Sequence, residues 1–157
     1  MRSIKSTEDY LAVIWQLSNE NSDVNSPETE KTVRIKDIAE KLQISSPSVS
    51  EYVRKLAKAN KLDVIERKGV KLTDEGEKEA VLIINKHRII ECFLSQILKV
   101  SNAHEQSHDL EHVFELETID KLYQFIKTQR NCTLENCPHE TLCIPPSELK
   151  MVEETEA

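Results

Sequence analysis

From Ile35 to Leu56 the chain reads IKDIAEKLQISSPSVSEYVRKL. Ile35, Ile38, Ala39 and Leu42 recur at the three- and four-residue spacing that lines one side of an α-helix. Gln43-Ile44-Ser45 follows as a short turn. Ser46 is then placed to cap a second helix, with Pro47 in its first turn, where a missing N–H costs nothing. Val49, Val53 and Leu56 repeat the apolar spacing beyond it. Two short amphipathic helices across such a turn form a helix-turn-helix, whose second helix is the one able to enter a DNA groove.

Working outward, Ser6-Thr7-Glu8-Asp9 has the form of a capping box, and Tyr10, Val13, Ile14 and Leu17 predict a helix from about Thr7 to Ser18. The stretch 19–31 is a polar loop. On the other side, Leu62 to Ile65 and Val70 to Leu72 read as a hairpin around Arg67-Lys68-Gly69, with Gly69 supplying the tight turn. A hairpin directly after a helix-turn-helix is a wing.

Thr73 then caps a long helix, from about Glu75 to Leu98. Its apolar residues Ala80, Ile83, Ile84, Ile90, Phe93, Leu94 and Ile97 cover more than one face, as a dimerisation helix requires. Two more helices are expected near 103–116 and 118–130, before a Cys-containing segment and an acidic, disordered tail over 152–157. The fold class is mainly α: an N-terminal winged helix-turn-helix over 1–73, an all-helical metal-binding and dimerisation domain over 74–130, and a C-terminal segment over 131–157.

A length of 157 residues allows one core or two small ones and excludes a large multidomain enzyme. No apolar run reaches signal-peptide or membrane-spanning length, so the expectation is a cytoplasmic protein without a membrane partner, whose four cysteines are thiols or metal ligands. The net charge of −7 argues against nucleic acid until it is divided along the chain. Residues 46–73 hold seven Lys or Arg against three acids, a balance of +4, whereas 74–157 hold eight against seventeen. A basic segment on an acidic body suits a protein that meets phosphate with one face only.

The residues left on the outer side of the second helix and the wing are Ser45, Pro47, Ser48, Ser50, Glu51, Arg54, Lys55, Arg67 and Lys68. Ser hydroxyls and Glu51 can pair with base edges and Pro47 can touch a thymine methyl. Arg54, Lys55, Arg67 and Lys68 are suited to phosphates. Polar residues also fill any solvated helix face. The capped turn, the wing and the local positive balance together favour binding to double-stranded DNA.

The stretch from His104 to His112 reads HEQSHDLEH. On one helix His104, His108, Glu111 and His112 fall at i, i+4, i+7 and i+8 and share a face. His87 and Glu91 form another i, i+4 pair on the preceding helix, although a lone histidine in an apolar stretch is more often a satisfied core residue. Imidazole with carboxylate suits Fe(II), Mn(II) or Zn(II) rather than Mg or Ca. His104-Glu105-x-x-His108 also spells the HExxH of zinc hydrolases, where Glu105 would be the general base. That chemistry needs a third ligand and a substrate cleft, and a short helical chain is better read as no enzyme; the nearer alternative is a winged-helix regulator that senses a non-metal ligand, with the histidines structural. Cys132, Cys137 and Cys143, with His139 between them and Cys92 as another donor, could hold zinc or an iron–sulfur cluster, or remain free thiols.

Thr7-Glu8-Asp9-Tyr10-Leu11, Ile38-Ala39-Glu40-Lys41-Leu42, Ser48-Val49-Ser50, Gly69-Val70-Lys71-Leu72-Thr73, Lys86-His87-Arg88 and Glu111-His112 occur here in that order. Together they resemble the diphtheria toxin repressor and manganese transport regulator family of metal-dependent repressors, from Ser6 to about Pro146. The resemblance implies a homodimer on a palindromic operator, with Fe(II) or Mn(II) as corepressor and control of metal-ion homeostasis. By the same resemblance a primary regulatory site uses Asp9, His108, Glu111 and His112, and an ancillary site uses His87, Glu91 and His104. The sequence departs from the manganese-type pattern at Ala12 and His108, where carboxylates are expected. It departs from the iron-type pattern at Asp9 and His108, which stand for methionine and cysteine, and in having no C-terminal SH3-like domain.

Overall fold

The computed structural model describes residues 6–20 and 31–128. The chain divides into two compact units, Met1–Val81 and Leu82–Ala157. The first holds α1 (Thr7–Glu20), α2 (Ile35–Leu42), α3 (Ser46–Lys58), the strands β1 (Leu62–Ile65) and β2 (Gly69–Leu72), and the start of α4 (Asp74–Cys92). The second holds the rest of α4, a π-helical turn over Phe93–Ile97, α5 (Ala103–Leu110) and α6 (Leu116–Thr128). Cys132, Cys137, His139 and Cys143, and the tail, lie outside the described residues. No described helix is long and apolar enough to cross a membrane.

The apolar spacing of α1 to α3 builds the first core: Leu11, Ile14, Ile38, Leu42, Val49, Val53 and Leu56 are all buried, with Leu62 and Val70 of the hairpin closing it. α2 stops where Gln43 takes the left-handed conformation at φ 56°. Ile44 N then donates to the Ala39 carbonyl at 3.0 Å and Gln43 N to Glu40 at 3.2 Å, which satisfies the last carbonyls of the helix. α3 starts one residue earlier than the sequence suggests. Ser45 rather than Ser46 is the cap, its hydroxyl accepting from Ser48 N, and Pro47 sits in the first turn. A serine doublet leaves that choice open, and the extended backbone at Ser45 (φ −71°, ψ 146°) decides it.

β1 and β2 pair antiparallel, Leu62 with Leu72 through Ile65 with Gly69. Val33 adds a further rung, exchanging N–H···O bonds of 2.8 Å in both directions with Val70. The tight turn is made by Arg67 at φ 62°, not by Gly69. Gly69, at φ 132°, is required because a Cβ there would lie 2.1 Å from the Val33 carbonyl oxygen.

Thr73 caps α4 as expected: its hydroxyl accepts from Gly76 N at 3.1 Å and donates to the Asn60 carbonyl at 2.7 Å. The helix is α only to Cys92. Its continuation widens into a π turn, with Leu98 N donating to Phe93 O at 3.2 Å, and closes through Val100 N to Leu94 O at 2.9 Å with Lys99 at φ 58°. The helix expected over 103–116 ends at Leu110. The turn that follows lets α6 fold back, so that Ala103 of α5 and Ile119 and Ile126 of α6 share one core with Ile89, Ile90 and Leu94. One continuous helix could not present both stretches to it.

Candidate metal centre and nucleic-acid interface

The helix-turn-helix presents its outer face to solvent because the inner stripe of Val49, Val53 and Leu56 is consumed by the core. Ser45, Pro47, Ser48, Glu51, Arg54 and Lys55 are exposed and Ser50 is half-buried. The Ser45 and Ser48 hydroxyls lie 2.8 Å apart, so both take part in the helix cap as well as facing outward. Lys55 Nζ lies 3.8 Å from Glu51 Oε1, an exposed pair that water weakens. Arg67 and Lys68 stand exposed in the hairpin turn.

At the first turn of α1, Asp9 closes a capping box with Ser6: Oδ2 accepts from Ser6 N at 2.8 Å and from Ser6 Oγ at 3.1 Å. The reciprocal bond, Asp9 N to Ser6 Oγ, is 3.3 Å long. Beside it Tyr10 is buried and stacks on Tyr52 of α3 with centroids 4.3 Å apart and planes 11° from parallel. Burial, and next the neighbouring Tyr52, push the Tyr10 hydroxyl above its ordinary pKa.

In the second unit two i, i+4 pairs on different helices meet: His87 and Glu91 on α4, His104 and His108 on α5. The imidazoles of His87, His104 and His108 each offer a donor atom within 4.8 Å of the others. Glu91 Oε2 lies 3.0 Å from His87 Nε2 and 3.2 Å from His104 Nδ1. On its other side His87 Nδ1 is 2.7 Å from Glu111 Oε2. His87 is therefore no solitary core histidine. The short Nδ1 contact to a buried carboxylate orients the ring, the arrangement by which a carboxylate fixes the tautomer of a ligating histidine.

Glu111 also faces His108 Nδ1 and His112 Nε2, each at 3.5 Å from Oε1. Burial raises its carboxyl pKa, but the hydrogen bonds from His108 and His87 outweigh burial and hold the group below its ordinary value, ionised. Glu111 is the helix's C-cap and His112 lies in the following turn, so the four residues of the HEQSHDLEH stretch are not all on α5 as the spacing alone suggests. Within this unit His108 groups with His87 and His104. Glu105 is exposed on the same helix. Three imidazoles and an adjacent ionised carboxylate are nitrogen and oxygen donors of borderline softness, and they fit a first-row transition ion.

A winged helix-turn-helix followed by a helical unit carrying a histidine–carboxylate cluster defines a metal-responsive DNA-binding regulator. Comparison with known proteins makes the assignment specific. Residues 3–70 match the model of the iron dependent repressor N-terminal DNA binding domain, and 73–142 that of the iron dependent repressor metal binding and dimerisation domain. The transcriptional regulator MntR of Oceanobacillus iheyensis is 30% identical over 118 residues, covering 74% of this chain and 74% of that protein. The diphtheria toxin repressor of Corynebacterium glutamicum is 29% identical over 78% of this chain and 51% of its own length. A solved structure of the manganese regulator SloR aligns at a TM-score of 0.66 with 31% identity, over 80% of this chain and 55% of that one. The chain thus spans about half the length of the latter two. It belongs to the iron-dependent repressor family of metal-dependent transcription regulators.

Proposed function

We propose that the chain is a cytoplasmic homodimeric repressor that binds a palindromic operator when loaded with Fe(II) or Mn(II), and so controls metal-ion homeostasis. The observation that carries this reading is the convergence of His87, Glu91, His104 and His108 inside the stretch that matches the metal binding and dimerisation domain. Following the family resemblance, Asp9, His108, Glu111 and His112 act in regulation, and His87, Glu91 and His104 hold an ancillary ion. The grouping of His108 with His87 and His104 favours giving His108 to the ancillary set as well. A bound ion supplies charge neutralisation and a fixed cross-link among these side chains. The protein holds that cross-link ready by keeping Glu111 ionised and the His87 ring oriented.

The wing and α3 supply DNA contact, with Arg54, Lys55, Arg67 and Lys68 meeting phosphate and Ser45, Pro47, Ser48, Ser50 and Glu51 lying closest to base edges. Organisation over 1–73, 74–130 and 131–157 separates these tasks, and Cys132, Cys137, His139 and Cys143 either hold zinc or an iron–sulfur cluster or leave the cysteines as free thiols. Operator affinity measured by fluorescence anisotropy, metal-free and with Fe(II) or Mn(II) under anaerobic conditions, tests the reading. Tight binding appears only with metal; equal affinity without it overturns the corepressor role. A reading as a hydrolase through His104-Glu105-x-x-His108 predicts peptidase activity lost in Glu105→Gln, whereas the repressor reading predicts unchanged operator binding in that variant.

A further inference from the structure

We infer that Tyr52 is a positioning residue that ties the reading helix α3 to the first turn of α1, the turn bearing Asp9, and so transmits the state of that turn to the DNA-facing residues. This rests on the reading of Asp9 as a metal ligand. Three contacts converge on the one side chain. Its hydroxyl lies 2.9 Å from Thr7 Oγ1, inside the Ser6–Asp9 cap. Its ring stacks on the buried Tyr10, next to Asp9. Lys55 also lies by it, its Nζ 5.8 Å from the ring centroid on the exposed side of α3.

The position of Tyr52 along α3 explains why it can do this. The core stripe is Val49, Val53 and Leu56, and the outward residues are Ser48, Glu51 and Lys55. Tyr52 falls between the two sets, half-buried, and a large side chain there reaches across to α1 while its backbone stays on the DNA-reading element. Stacked aromatic rings resist sliding and tilting, and the added hydrogen bond fixes the remaining rotation, so the pair behaves as a stiff strut. Thr7 lies between the two members of the cap. Both Ser6 bonds end on Asp9 Oδ2, so a cation taken by this carboxylate fixes the cap and the turn that carries Thr7. The strut passes that constraint to Tyr52, and from there to Ser48, Glu51 and Lys55 on the same helix.

The role differs from simple packing in what it couples. A residue that only stabilises the fold changes stability; one that transmits changes the ratio of operator affinities with and without metal. Tyr52→Phe keeps the stack and removes the hydroxyl, and Thr7→Val removes the partner while keeping the shape. Each variant and their double are assayed in the full chain for operator affinity with and without Mn(II), for Mn(II) affinity by calorimetry, and for melting temperature, alongside Asp9→Ala. Expected is a metal-induced gain smaller by about fivefold in either single variant and no smaller in the double, the signature of one shared contact, with Mn(II) affinity unchanged. If Asp9→Ala loses the metal response while Tyr52→Phe and Thr7→Val keep it in full, or if the two effects simply add, the strut is overturned and the ligand role of Asp9 stands. An Asp9→Ala variant that responds to metal like the wild type overturns the Asp9 reading and the strut with it.

Discussion

Replacing Gly76 by alanine should destabilise the DNA-binding unit although helix propensity alone argues the opposite. Gly76 is the third residue of α4, a position where alanine is ordinarily preferred by about 0.5–1 kcal/mol. A Cβ there would lie 1.9 Å from the Lys61 carbonyl oxygen and 2.9 Å from its carbon, both backbone atoms with no rotamer by which to escape. Relief requires a shift of about 1 Å between Lys61, in the turn before β1, and the start of α4, against overpacking costs of about 1–3 kcal/mol. The same shift stretches the Thr73 N to Lys61 O bond, now 3.1 Å, whose loss costs about 1 kcal/mol more. The steric terms exceed the propensity gain, leaving a net loss of about 2 kcal/mol and a melting temperature lower by about 5 °C or more. Urea unfolding of Gly76→Ala against wild type, with the exposed neighbour change Glu77→Ala as control, measures it. A Gly76→Ala protein as stable as the wild type, or more so, would show that the Lys61 carbonyl can yield and that the junction between wing and α4 is not held as described.

Other outcomes follow from the same geometry. Ser45→Ala should cost about 1 kcal/mol by removing the α3 cap, while Ser46→Ala stays within about 0.5 kcal/mol; the reverse order in thermal melts would move the cap back by one residue. Lys61 Nζ sits 2.8 Å from Glu75 and 2.7 Å from Glu79, and these hydrogen bonds raise its pKa above the unfolded value of about 10.4. Its stabilising contribution is therefore complete below that pH and disappears as pH climbs through the raised value, so wild type should lose this increment in alkaline melts and Lys61→Met should not. Each of Arg67→Ala and Lys68→Ala should reduce the slope of log affinity against log salt by about one per phosphate contact removed, with little change in operator preference. In titration calorimetry, Glu111→Gln should weaken metal binding by about 10–100-fold through the lost anchor on His87; undiminished affinity would remove Glu111 from the site.

Much of the DNA-binding unit is legible because its elements are short and strongly patterned. Ile38, Leu42, Val49, Val53 and Leu56 recur at helical spacing, the wing is bounded by clear turn residues, and Thr73 caps α4 as its type and position suggest. What could not be read were choices settled by backbone contact across the fold. Ser45 and Ser46 are chemically equivalent caps, and the extended conformation of Ser45 chooses between them. Gly69 looks like a turn glycine, yet it is demanded by the approach of Val33, thirty-six residues earlier in the chain, which no local pattern records. Tyr52 carries no signal either, since its partners Thr7 and Tyr10 are distant in sequence and neither pair is periodic.

The histidine–carboxylate cluster divides along the same line. Both i, i+4 pairs, His87 with Glu91 and His104 with His108, are visible as spacing, because a single helix fixes which of its own residues are neighbours. How the pairs meet depends on the connection between the helices. The π turn at Phe93–Ile97 and the left-handed Lys99 let α5 turn back toward α4, and neither is encoded by a glycine or proline. The early end of α5 then matters more than its length suggests. With the helix over at Leu110, Glu111 becomes its cap, is buried, and reaches His87 at 2.7 Å while His108 sides with His104. Counting donors along one face does not register these contacts: Glu111 reaches His87 across the helix pair, and the His108 ring lies beside those of His87 and His104. A donor's role here is set by the helix opposite it as much as by its place in its own.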